Sequence, residues 1–433
     1  MKCLSLFANV GIGETYFKDV GIDVVVANEF LEDRAEFYQE LHPDSKMVYG
    51  DITDSTVFDT VVLESKAAGV DFIMATPPCQ GMSVAHAKKM VNEERYKTEL
   101  MLLAESAESY TPEEFHKKAI AWRKNYKETI AKNSLFKQII RATKELNPKY
   151  VLIENVEGMA SDNTLIMDDD GNAVKLMDHL VSSLSEDYNV EYKVLNASKY
   201  STPHYRKRCI TLISRKDLPQ WKHPEPNENH VAVRDVIGDM PSLESGQDSD
   251  IKWHSMKHKK HNKHHIKWMK HTPTGKSAFD NALYYPKVRD DGFEERIKDE
   301  EYMSKHTEKK QKELRGLRVI VRCDIETREI KGFATTYKRM DWHRPAPAVT
   351  MMNGSINSQN NVHPGRIKED GTFSDARVLT IKELCAIIGL PLDWVDHLEH
   401  TKQRENFLRH VLGECFPPMM AKSIVSNIPT LET

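Results

Sequence analysis

Three short apolar runs, each adjoining polar side chains, constrain the fold of this chain more than any other feature. Runs of this length, bounded by proline or charged residues, are typical of buried strands. In an open α/β sheet, ligands bind at the edge where such strands end. The sequence therefore predicts an α/β fold with reactive side chains gathered at one edge of a sheet. The runs and their polar neighbours are Phe72–Met74 before Pro77-Pro78-Cys79, Tyr150–Ile153 before Glu154-Asn155, and Cys209–Ile213 after Arg206 and Arg208.

The thiol of Cys79 follows two prolines, which fix two φ angles and hold the next residue on a restricted backbone. A cysteine in that position is presented for attack, although Pro-Pro-Cys alone is also compatible with a structural turn. Glu154 alone is likewise compatible with a capping or salt-bridged carboxylate. A thiol, a carboxyl and two guanidinium groups at one edge together suit nucleophilic attack on an electron-poor ring.

With these motifs in this order, the chain resembles a DNA (cytosine-5)-methyltransferase. Leu6–Gly11 is similar to the first motif of that family, 377–391 to its penultimate motif and Gly413–Pro418 to its last. The resemblance covers most of the chain and implies an α/β fold. In that fold, a Rossmann-like S-adenosylmethionine-dependent methyltransferase domain is accompanied by a smaller target-recognition domain. The sequence departs from the family pattern without losing a group that does covalent chemistry. The departures are Ser5, Asn9, Ile12, His204, Glu414 and Cys415.

The resemblance implies a role for each reactive side chain. Carbon 5 of cytosine is a poor nucleophile, so the Cys79 thiolate would add at C6 and raise the electron density at C5. Glu154 would give N3 a proton or a strong hydrogen bond. Arg208 would hold O2, with Arg206 supporting the same site. The expected function is C5 methylation of a cytosine rotated out of a specific double-stranded DNA sequence, as the modification enzyme of a restriction-modification system.

The methyl donor implied is S-adenosylmethionine, with S-adenosylhomocysteine as the product. A first strand at 2–7 leads into a glycine-containing turn at 9–13, where the backbone can approach a ligand closely, and we expect an amphipathic helix after it. A second strand ends at Glu29, from which an acidic residue can hold ribose hydroxyls in dinucleotide-type folds. The expected donor-binding residues are Phe7, Asn9, Gly11, Glu29, Asp51, Ile52, Pro77, Glu414 and Cys415.

Two insertions interrupt the predicted catalytic core. Residues 85–147 are rich in Lys, Glu, Ala and Leu with almost no Gly or Pro, which predicts helices, the last ending at Pro148. Residues 242–336 occupy the gap that holds the target-recognition region in the family. We therefore expect a core at 1–241, a recognition region at 242–336 and a return to the core at 337–433. Helices are also predicted from Thr380 to Ile388 and from Pro417-Pro418 onward.

A basic stretch in the recognition region is the main candidate for DNA contact. Residues 252–276 contain eight lysines, six histidines, two tryptophans and no acidic residue. Such a composition attracts phosphates, and the aromatic rings can pack or stack, although a charge run can also be only a solvated face. The expected DNA-contacting residues are Gln80, Ser83, Lys257, Lys259, Lys260, Lys263, Arg315, Arg318 and Arg322.

The overall composition fits a DNA-binding enzyme of the cytoplasm. The charged fraction is 29% but the net charge is only −4, so DNA binding must come from a local basic surface. The six cysteines form no Cys-x-x-Cys pair, and none adjoins His261, His264 or His265, so no metal site is expected. No apolar run approaches membrane-spanning length.

The expected partner is double-stranded DNA, and we expect a monomer that shares its system with a cognate restriction endonuclease without a stable complex. Two other functions stay open. The first is an RNA cytosine-5 methyltransferase, because one branch of the family methylates transfer RNA, but the sizeable basic insertion argues against it. The second is a catalytically silent DNA-binding regulator with the same fold, against which intact Cys79, Glu154 and Arg208 argue.

Overall fold

The computed structural model describes residues 1–78, 133–162, 164–278, 281, 335–359 and 361–430. The chain divides into two compact units. Unit 1 comprises residues 1–196, 207–226 and 420–433, and unit 2 comprises residues 197–206 and 227–419. The predicted domain boundaries at 241 and 336 stay predictions. The predicted site residues that lie outside the described part are Cys79, Gln80, Ser83, Arg315, Arg318 and Arg322.

A seven-stranded sheet forms the centre of unit 1. The strands of this unit are β1 (Lys2–Leu6), β2 (Asp23–Glu29), β3 (Lys46–Tyr49), β4 (Phe72–Ala75), β5 (Tyr150–Val156), β6 (Leu165–Met167), β7 (Ala173–Lys175), β8 (Tyr188–Asn196) and β9 (Lys207–Arg215). The sheet has the order β3-β2-β1-β4-β5-β9-β8, while β6 and β7 form a separate two-stranded ribbon. Strands β1 to β5 pair in parallel, and β9 is antiparallel to both β5 and β8.

The inner strands are buried because helices cover parallel sheets on both faces. The sequences of these strands are therefore continuous apolar runs. All four residues of β4 and the first six of β5 are buried. The strands predicted from the apolar runs correspond to β1, β2, β4, β5 and β9. The predicted α/β fold is therefore confirmed.

The helices of unit 1 include the one predicted to end at Pro148. They are α1 (Glu32–Leu41), α2 (Ser55–Ala68), α3 (Phe136–Leu146) and α4 (Leu176–Leu184). Helix α3 buries Phe136, Ile139 and Ile140 in the core of the unit. It ends at Asn147, which adopts the left-handed conformation with φ 47° directly before Pro148. This prediction is confirmed.

The prediction of an amphipathic helix after the first glycine turn is wrong. Two short 3-10 turns, Ile12–Glu14 and Lys18–Val20, stand in its place. Glycine in a helix interior costs roughly 1 kcal/mol relative to alanine, and a left-handed glycine ends a helix. Gly11 and Gly21 are both left-handed, with φ 73° and 74°, so any helix here is confined to residues 12–20, and Gly13 lies within that span.

Four helices lie wholly within the described part of unit 2. They are α5 (Val233–Ile237), α6 (Lys263–Lys270), α7 (Ile381–Ile388) and α8 (Lys402–Glu414). Thr380 caps α7 in a capping box with Glu383, which confirms the helix predicted there. The last helix, α9 (Pro418–Val425), begins at the predicted proline pair and runs from unit 2 into unit 1. No helix among the described residues is long and apolar enough to cross a membrane.

A buried set of charged side chains holds the loops of unit 2 together. Arg377 donates to Asp375 at 2.8 Å and to the two oxygens of Glu383 at 2.7 and 2.9 Å. Burial is the largest single influence and would raise the pKa of Glu383, but the charges of Arg377, His363 and His254 and the hydrogen bonds from Arg377 together lower that pKa to about 2. Arg339, 1% exposed, donates to the backbone carbonyls of Met269, His363, Ser374 and Asp375. Such charge-assisted bonds replace the backbone ladders that a loop-rich unit lacks.

Candidate active site

One edge of the unit 1 sheet gathers the predicted donor-binding residues of that unit together with Glu154 and Arg208. The parallel strands β1 to β5 all end at this edge, and the antiparallel β9 begins there. Polar groups at the ends of parallel strands are the usual place for ligand binding in such sheets. The predicted residues of unit 1 that follow or end these strands are Phe7, Asn9, Gly11, Glu29, Asp51, Ile52, Pro77, Glu154 and Arg208.

Glu154 and Arg208 form an ion pair at this edge. The register places Glu154 opposite Ile210 and Val156 opposite Arg208, so the two charged residues are diagonal neighbours on one face of the sheet. The Arg208 Nε lies 2.5 Å from the Glu154 Oε1, and the side chains are only 11% and 9% exposed. A charge-assisted bond with so little water around it fixes both groups in place. The structure thus brings together the carboxyl and one of the two predicted guanidiniums.

Asn155 joins the carboxylate strand to the proline turn on the neighbouring strand. Its side-chain amide donates to the carbonyl of Pro77 at 2.9 Å, and its side-chain oxygen accepts from the Val156 N–H at 2.8 Å. Asn155 is 2% exposed, so water does not compete for these bonds. Pro77 is buried and stands two positions before Cys79, so this amide fixes the backbone that leads into the predicted nucleophile.

Cys209 is a second thiol close to the carboxylate, but its environment makes it inert. It is fully buried on β9. Burial raises the pKa of the Cys209 thiol to about 12, and the negative charge of Glu154 acts in the same direction. Because only the thiolate is a nucleophile, Cys209 has a structural role.

Arg206 belongs to unit 2, and its guanidinium contacts backbone. It is 6% exposed and donates to the carbonyls of Val349 at 2.8 Å and Gly413 at 3.0 Å. A Cβ atom at Gly413 would lie 2.4 Å from the backbone nitrogen of Met351, so the two segments that Arg206 links are in close contact. Arg206 therefore fixes the backbone directly before Glu414. Its predicted support of the cytosine site stays a prediction.

The loop at residues 7–11, called here the β1 turn, has an unusual backbone. Phe7, Asn9 and Gly11 all adopt positive φ angles, of 57°, 51° and 73°. For residues other than glycine this conformation is uncommon, and it persists only where the surroundings hold it. The Ala8 N–H donates to the Asn28 carbonyl at 3.0 Å, and the Asn9 N–H donates to the Glu29 carboxylate at 2.8 Å. The turn is thereby fixed to the end of β2.

Glu29, at the end of β2, organises the backbone around it. Besides Asn9, it accepts the N–H groups of Phe30 at 3.0 Å and Leu31 at 2.9 Å. A carboxylate has about four acceptor positions, so capacity remains for a ligand hydroxyl. Asp51, which follows β3, is exposed and accepts from the Thr53 N–H and hydroxyl at 2.9 and 2.8 Å. Ile52 beside it is buried.

Two aromatic residues at this edge were missed by the sequence reasoning. Phe30 directly follows Glu29 and is 60% exposed, and Tyr49 ends the adjacent strand β3 and is 55% exposed. The register pairs Glu29 with Tyr49, so both rings flank the predicted ribose-binding carboxylate. Phe30 could have been predicted from the sequence, because an aromatic residue directly follows the acidic residue that ends the strand.

The remaining predicted donor residues, Glu414 and Cys415, lie in unit 2. Glu414 is the last residue of α8, with its carboxylate 3.5 Å from the His410 Nε2. Cys415 is buried, and its thiol donates to the Leu412 carbonyl at 3.1 Å. Their predicted contact with the methyl donor stays a prediction.

The basic stretch at 252–276 contributes both to the core of unit 2 and to its surface. Lys257, Lys260 and Lys263 are exposed, whereas Lys259 is half-buried and donates to the Asn406 side chain at 2.7 Å. Trp253 is 1% exposed and packs against the His400 ring, with centroids 4.2 Å apart. That indole therefore serves packing, and the three exposed lysines remain the candidates for phosphate contact.

Two histidines of this stretch, His254 and His261, form hydrogen bonds with neighbouring protein groups. The ring of His254 contacts the Thr380 hydroxyl at 3.2 Å and the Pro241 carbonyl at 2.8 Å. His261 Nε2 accepts from the Val378 N–H at 3.3 Å. Within the residues that the structure describes, no group of three or more His, Cys, Asp or Glu side chains could hold a metal ion.

The sheet and the groups at its edge define an α/β fold with polar side chains gathered where its parallel strands end. A prophage-encoded E. coli protein described as a DNA modification methyltransferase has a similar fold, with a TM-score of 0.54 and 18% identity over 99% of this chain and 98% of that one. The sequence profile of the C-5 cytosine-specific DNA methylase family matches residues 1–115 and 122–430. The chain belongs to that family and is a DNA cytosine-5 methyltransferase.

Relatives of known class align with nearly the whole chain. The Type II methyltransferase M1.HgaI of Avibacterium volantium is 35% identical over 429 residues, which are 98% of this chain and 97% of that protein. The Type II methyltransferase M1.HphI of Haemophilus parahaemolyticus is 22% identical over 433 residues, 99% of this chain and 87% of that protein. The predicted family and enzyme class are therefore confirmed.

Proposed function

We propose that this protein, acting as a monomer, transfers a methyl group from S-adenosylmethionine to C5 of a cytosine within a specific sequence of double-stranded DNA. The observation that carries the proposal is the coupling of three groups at one sheet edge. Arg208 pairs with Glu154, and the adjacent Asn155 holds the carbonyl of Pro77, two residues before Cys79. A carboxyl, a guanidinium and the backbone at Pro77 are thus fixed relative to one another.

The β1 turn and its neighbours fit the methyl donor. The side-chain oxygen of Asn9 is buried and has no hydrogen-bond partner among the described residues, so it offers an acceptor for a ligand N–H group. Glu29 retains acceptor positions for ribose hydroxyls. The exposed rings of Phe30 and Tyr49 offer apolar faces for a purine. When bound, S-adenosylmethionine supplies an electrophilic methyl group.

The chemistry begins with covalent activation of the cytosine. The Cys79 thiolate forms a bond to C6, and the electron pair of the C5–C6 double bond moves toward C5 and the ring. Glu154 gives N3 a proton or a strong hydrogen bond, and Arg208 holds O2, so both residues stabilise the charge that addition moves into the ring. Arg206 supports the same cytosine site as Arg208. The C5 carbon then has the electron density needed to accept the methyl group.

Release requires two bonds to break. A base removes the proton from the methylated C5, and the resulting electron pair restores the C5–C6 double bond as the Cys79 sulfur leaves C6. The products are 5-methylcytosine, S-adenosylhomocysteine and the free thiolate. Because the C6 atom of a stacked base is out of reach, the target cytosine must rotate out of the duplex.

Recognition of the flanking sequence is assigned to the region at 242–336. The exposed Lys257, Lys260 and Lys263 support phosphate binding there. Gln80, Ser83, Lys259 and the three predicted arginines complete the proposed DNA contacts. Both aligned relatives are Type II methyltransferases. We therefore propose that this enzyme protects the sites of a cognate restriction endonuclease without forming a stable complex with it.

The test is bisulfite sequencing of DNA from cells that express the wild type or Cys79→Ser. We expect 5-methylcytosine at one position of one recurring sequence with the wild type and none with the variant. Transfer RNA from the same cells is analysed in parallel. Methylation confined to transfer RNA, or no methylation of either nucleic acid by a folded wild type, would refute the proposal.

A further inference from the structure

A buried carboxylate that the proposed chemistry does not use lies next to the β1 turn. Glu14 belongs to the short 3-10 turn that begins directly after Gly11, and it is only 4% exposed. A carboxylate is almost never buried without partners, because desolvation penalises its charged form. The partners of Glu14 therefore indicate what it is for.

Two hydroxyl groups donate to the two oxygens of Glu14. Ser5 donates to Oε1, and Tyr38 donates to Oε2 at 2.6 Å. Ser5 is 1% exposed and Tyr38 is 0% exposed, so both bonds are shielded from water. Ser5 lies on β1 just before the turn, Glu14 lies just after the turn, and Tyr38 lies on α1. The carboxylate thus links three elements at the base of the β1 turn.

Tyr38 also limits where Gly11 can lie. A Cβ atom at Gly11 would stand 2.9 Å from the Tyr38 ring and 2.2 Å from the His42 Nε2. The rings of Tyr38 and His42 are in contact, with centroids 4.5 Å apart. The backbone of the turn is therefore packed directly on a ring whose hydroxyl is held by Glu14.

We propose that Glu14 is a positioning residue for the methyl-donor site, holding the β1 turn in its binding conformation through Ser5 and Tyr38; this rests on the proposed function. The turn needs such support because the left-handed conformation is unfavourable for residues other than glycine, and Phe7 and Asn9 both adopt it. Glu29 fixes the outer side of the turn at Asn9, and Glu14 fixes its base.

The link between Ser5, Glu14 and Tyr38 depends on hydrogen bonds, whichever protonation state Glu14 has. Both hydroxyl partners can donate or accept, so they can bond a carboxylate, a carboxylic acid or an amide of the same shape. The titratable groups that interact with Glu14 are Cys3 on β1 and Tyr38 on α1, and His42 packs against the Tyr38 ring. Glutamine at position 14 should therefore preserve the hydrogen bonds with Ser5 and Tyr38, whereas alanine should remove them.

The experiment measures dissociation constants for S-adenosylmethionine by titration calorimetry and for duplex DNA by fluorescence anisotropy, together with the melting temperature. The variants are Glu14→Gln, Glu14→Ala, Ser5→Ala and Tyr38→Phe. Tyr38→Phe keeps the ring against Gly11 and removes only the hydroxyl, so it serves even where Glu14→Ala does not fold. The matched control is Thr143→Val, which removes a buried hydroxyl bond to the Ile139 carbonyl within α3.

We expect Tyr38→Phe and Ser5→Ala to weaken donor binding about 3- to 10-fold each, in line with the loss of one buried hydrogen bond. Glu14→Ala should weaken it more, Glu14→Gln should stay near the wild type, and DNA affinity should not change. Thr143→Val should lower the melting temperature without changing donor affinity.

Wild-type donor affinity in folded Tyr38→Phe and Glu14→Ala would overturn the inference. So would equal losses in Glu14→Gln and Glu14→Ala, or a loss of donor affinity in Thr143→Val as large as in Tyr38→Phe. A wild type that bound no S-adenosylmethionine would instead refute the proposed function, so the two failures are distinguishable.

Discussion

The side-chain amide of Asn155 donates a 2.9 Å hydrogen bond to the carbonyl of Pro77, across the boundary between β5 and the turn that follows β4. The same residue adjoins Glu154, whose carboxylate is paired with Arg208. A single buried amide therefore relates the carboxylate strand to the backbone at Pro77, two residues before Cys79 in the sequence. Misplacement of a reacting group by about 1 Å can cost on the order of 100-fold in rate, so this bond bears directly on catalysis.

Replacing Asn155 with Asp should lower kcat for methyl transfer by roughly 10- to 100-fold, because a carboxylate oxygen would face the Pro77 carbonyl where a donor now stands. Asn155→Ala should lower it less, since it removes the bond without adding repulsion. Single-turnover transfer of labelled methyl to cognate DNA gives the rate. Donor affinity, measured alongside, should be retained. Unchanged rates in both variants would show that the amide does not position the nucleophile.

Glu154→Gln should reduce the methyl-transfer rate by about 100- to 10,000-fold, the usual range for loss of a general acid or base. The control is Glu157→Gln, which removes an exposed carboxylate three residues further along; its side chain is 46% exposed and 3.1 Å from Lys207. That pair should contribute little. If both variants lost activity equally, the effect would not come from chemistry at Glu154.

Glu14 should make the stability of the wild type depend on pH. Burial raises the pKa of Glu14 to about 7, against the hydrogen bonds from Ser5 and Tyr38, which lower it. Because the folded pKa is raised, the contribution to stability is full below the unfolded pKa of about 4.5 and is lost as pH rises through about 7. This difference between the folded and unfolded pKa values corresponds to a loss of about 3 kcal/mol.

Glutamine at position 14 does not titrate, so the comparison of Glu14→Gln with the wild type isolates this effect. The free energy of unfolding of the variant, relative to the wild type, should rise by about 3 kcal/mol between pH 4.5 and pH 8. Urea titrations at a series of pH values measure it. A difference that stays constant over that range would mean that Glu14 ionises in the folded protein as it does in the unfolded chain.

Replacing Lys257, Lys260 and Lys263 together with glutamine should weaken binding to every DNA sequence alike. Each lost phosphate contact makes the negative slope of log affinity against log salt shallower by about 0.9. The control replaces Lys18, Lys46 and Lys66 of unit 1, whose side chains are 69%, 61% and 55% exposed, so the same charge is removed elsewhere. Anisotropy titrations over a range of salt compare the two triple variants. A loss confined to one DNA sequence would argue against phosphate contact.

The extent to which the sequence predicted the structure follows from the range of the interactions involved. The strands leading to Pro77, Glu154 and Arg208 were predictable because a buried parallel strand has a continuous apolar signature. The partners of Ser5, Glu14 and Tyr38 were not, because their contacts join residues 9 and 24 positions apart through a fold that no local pattern encodes.

The wrong helix after the β1 turn has the same origin. The pattern of a strand followed by a glycine turn suggested it, but the left-handed Gly11 and Gly21 confine any helix to residues 12–20, where Gly13 lowers helix propensity further. In the basic stretch, composition indicated a surface, yet Trp253 and His254 are buried. Composition does not show which face of a segment is turned inward.

The central claim is a transient bond between Cys79 and C6 of the target cytosine, and covalent trapping tests it most directly. Cognate duplex DNA is prepared with 5-fluorocytosine at the target position. Because C5 then carries fluorine in place of the proton that must be removed, the reaction stops while Cys79 is still bonded to C6. With S-adenosylmethionine present, the wild type should give a denaturation-resistant adduct that peptide mapping places at Cys79, and Cys79→Ser should give none. Full methylation of ordinary DNA by a wild type that never forms this adduct would contradict the account.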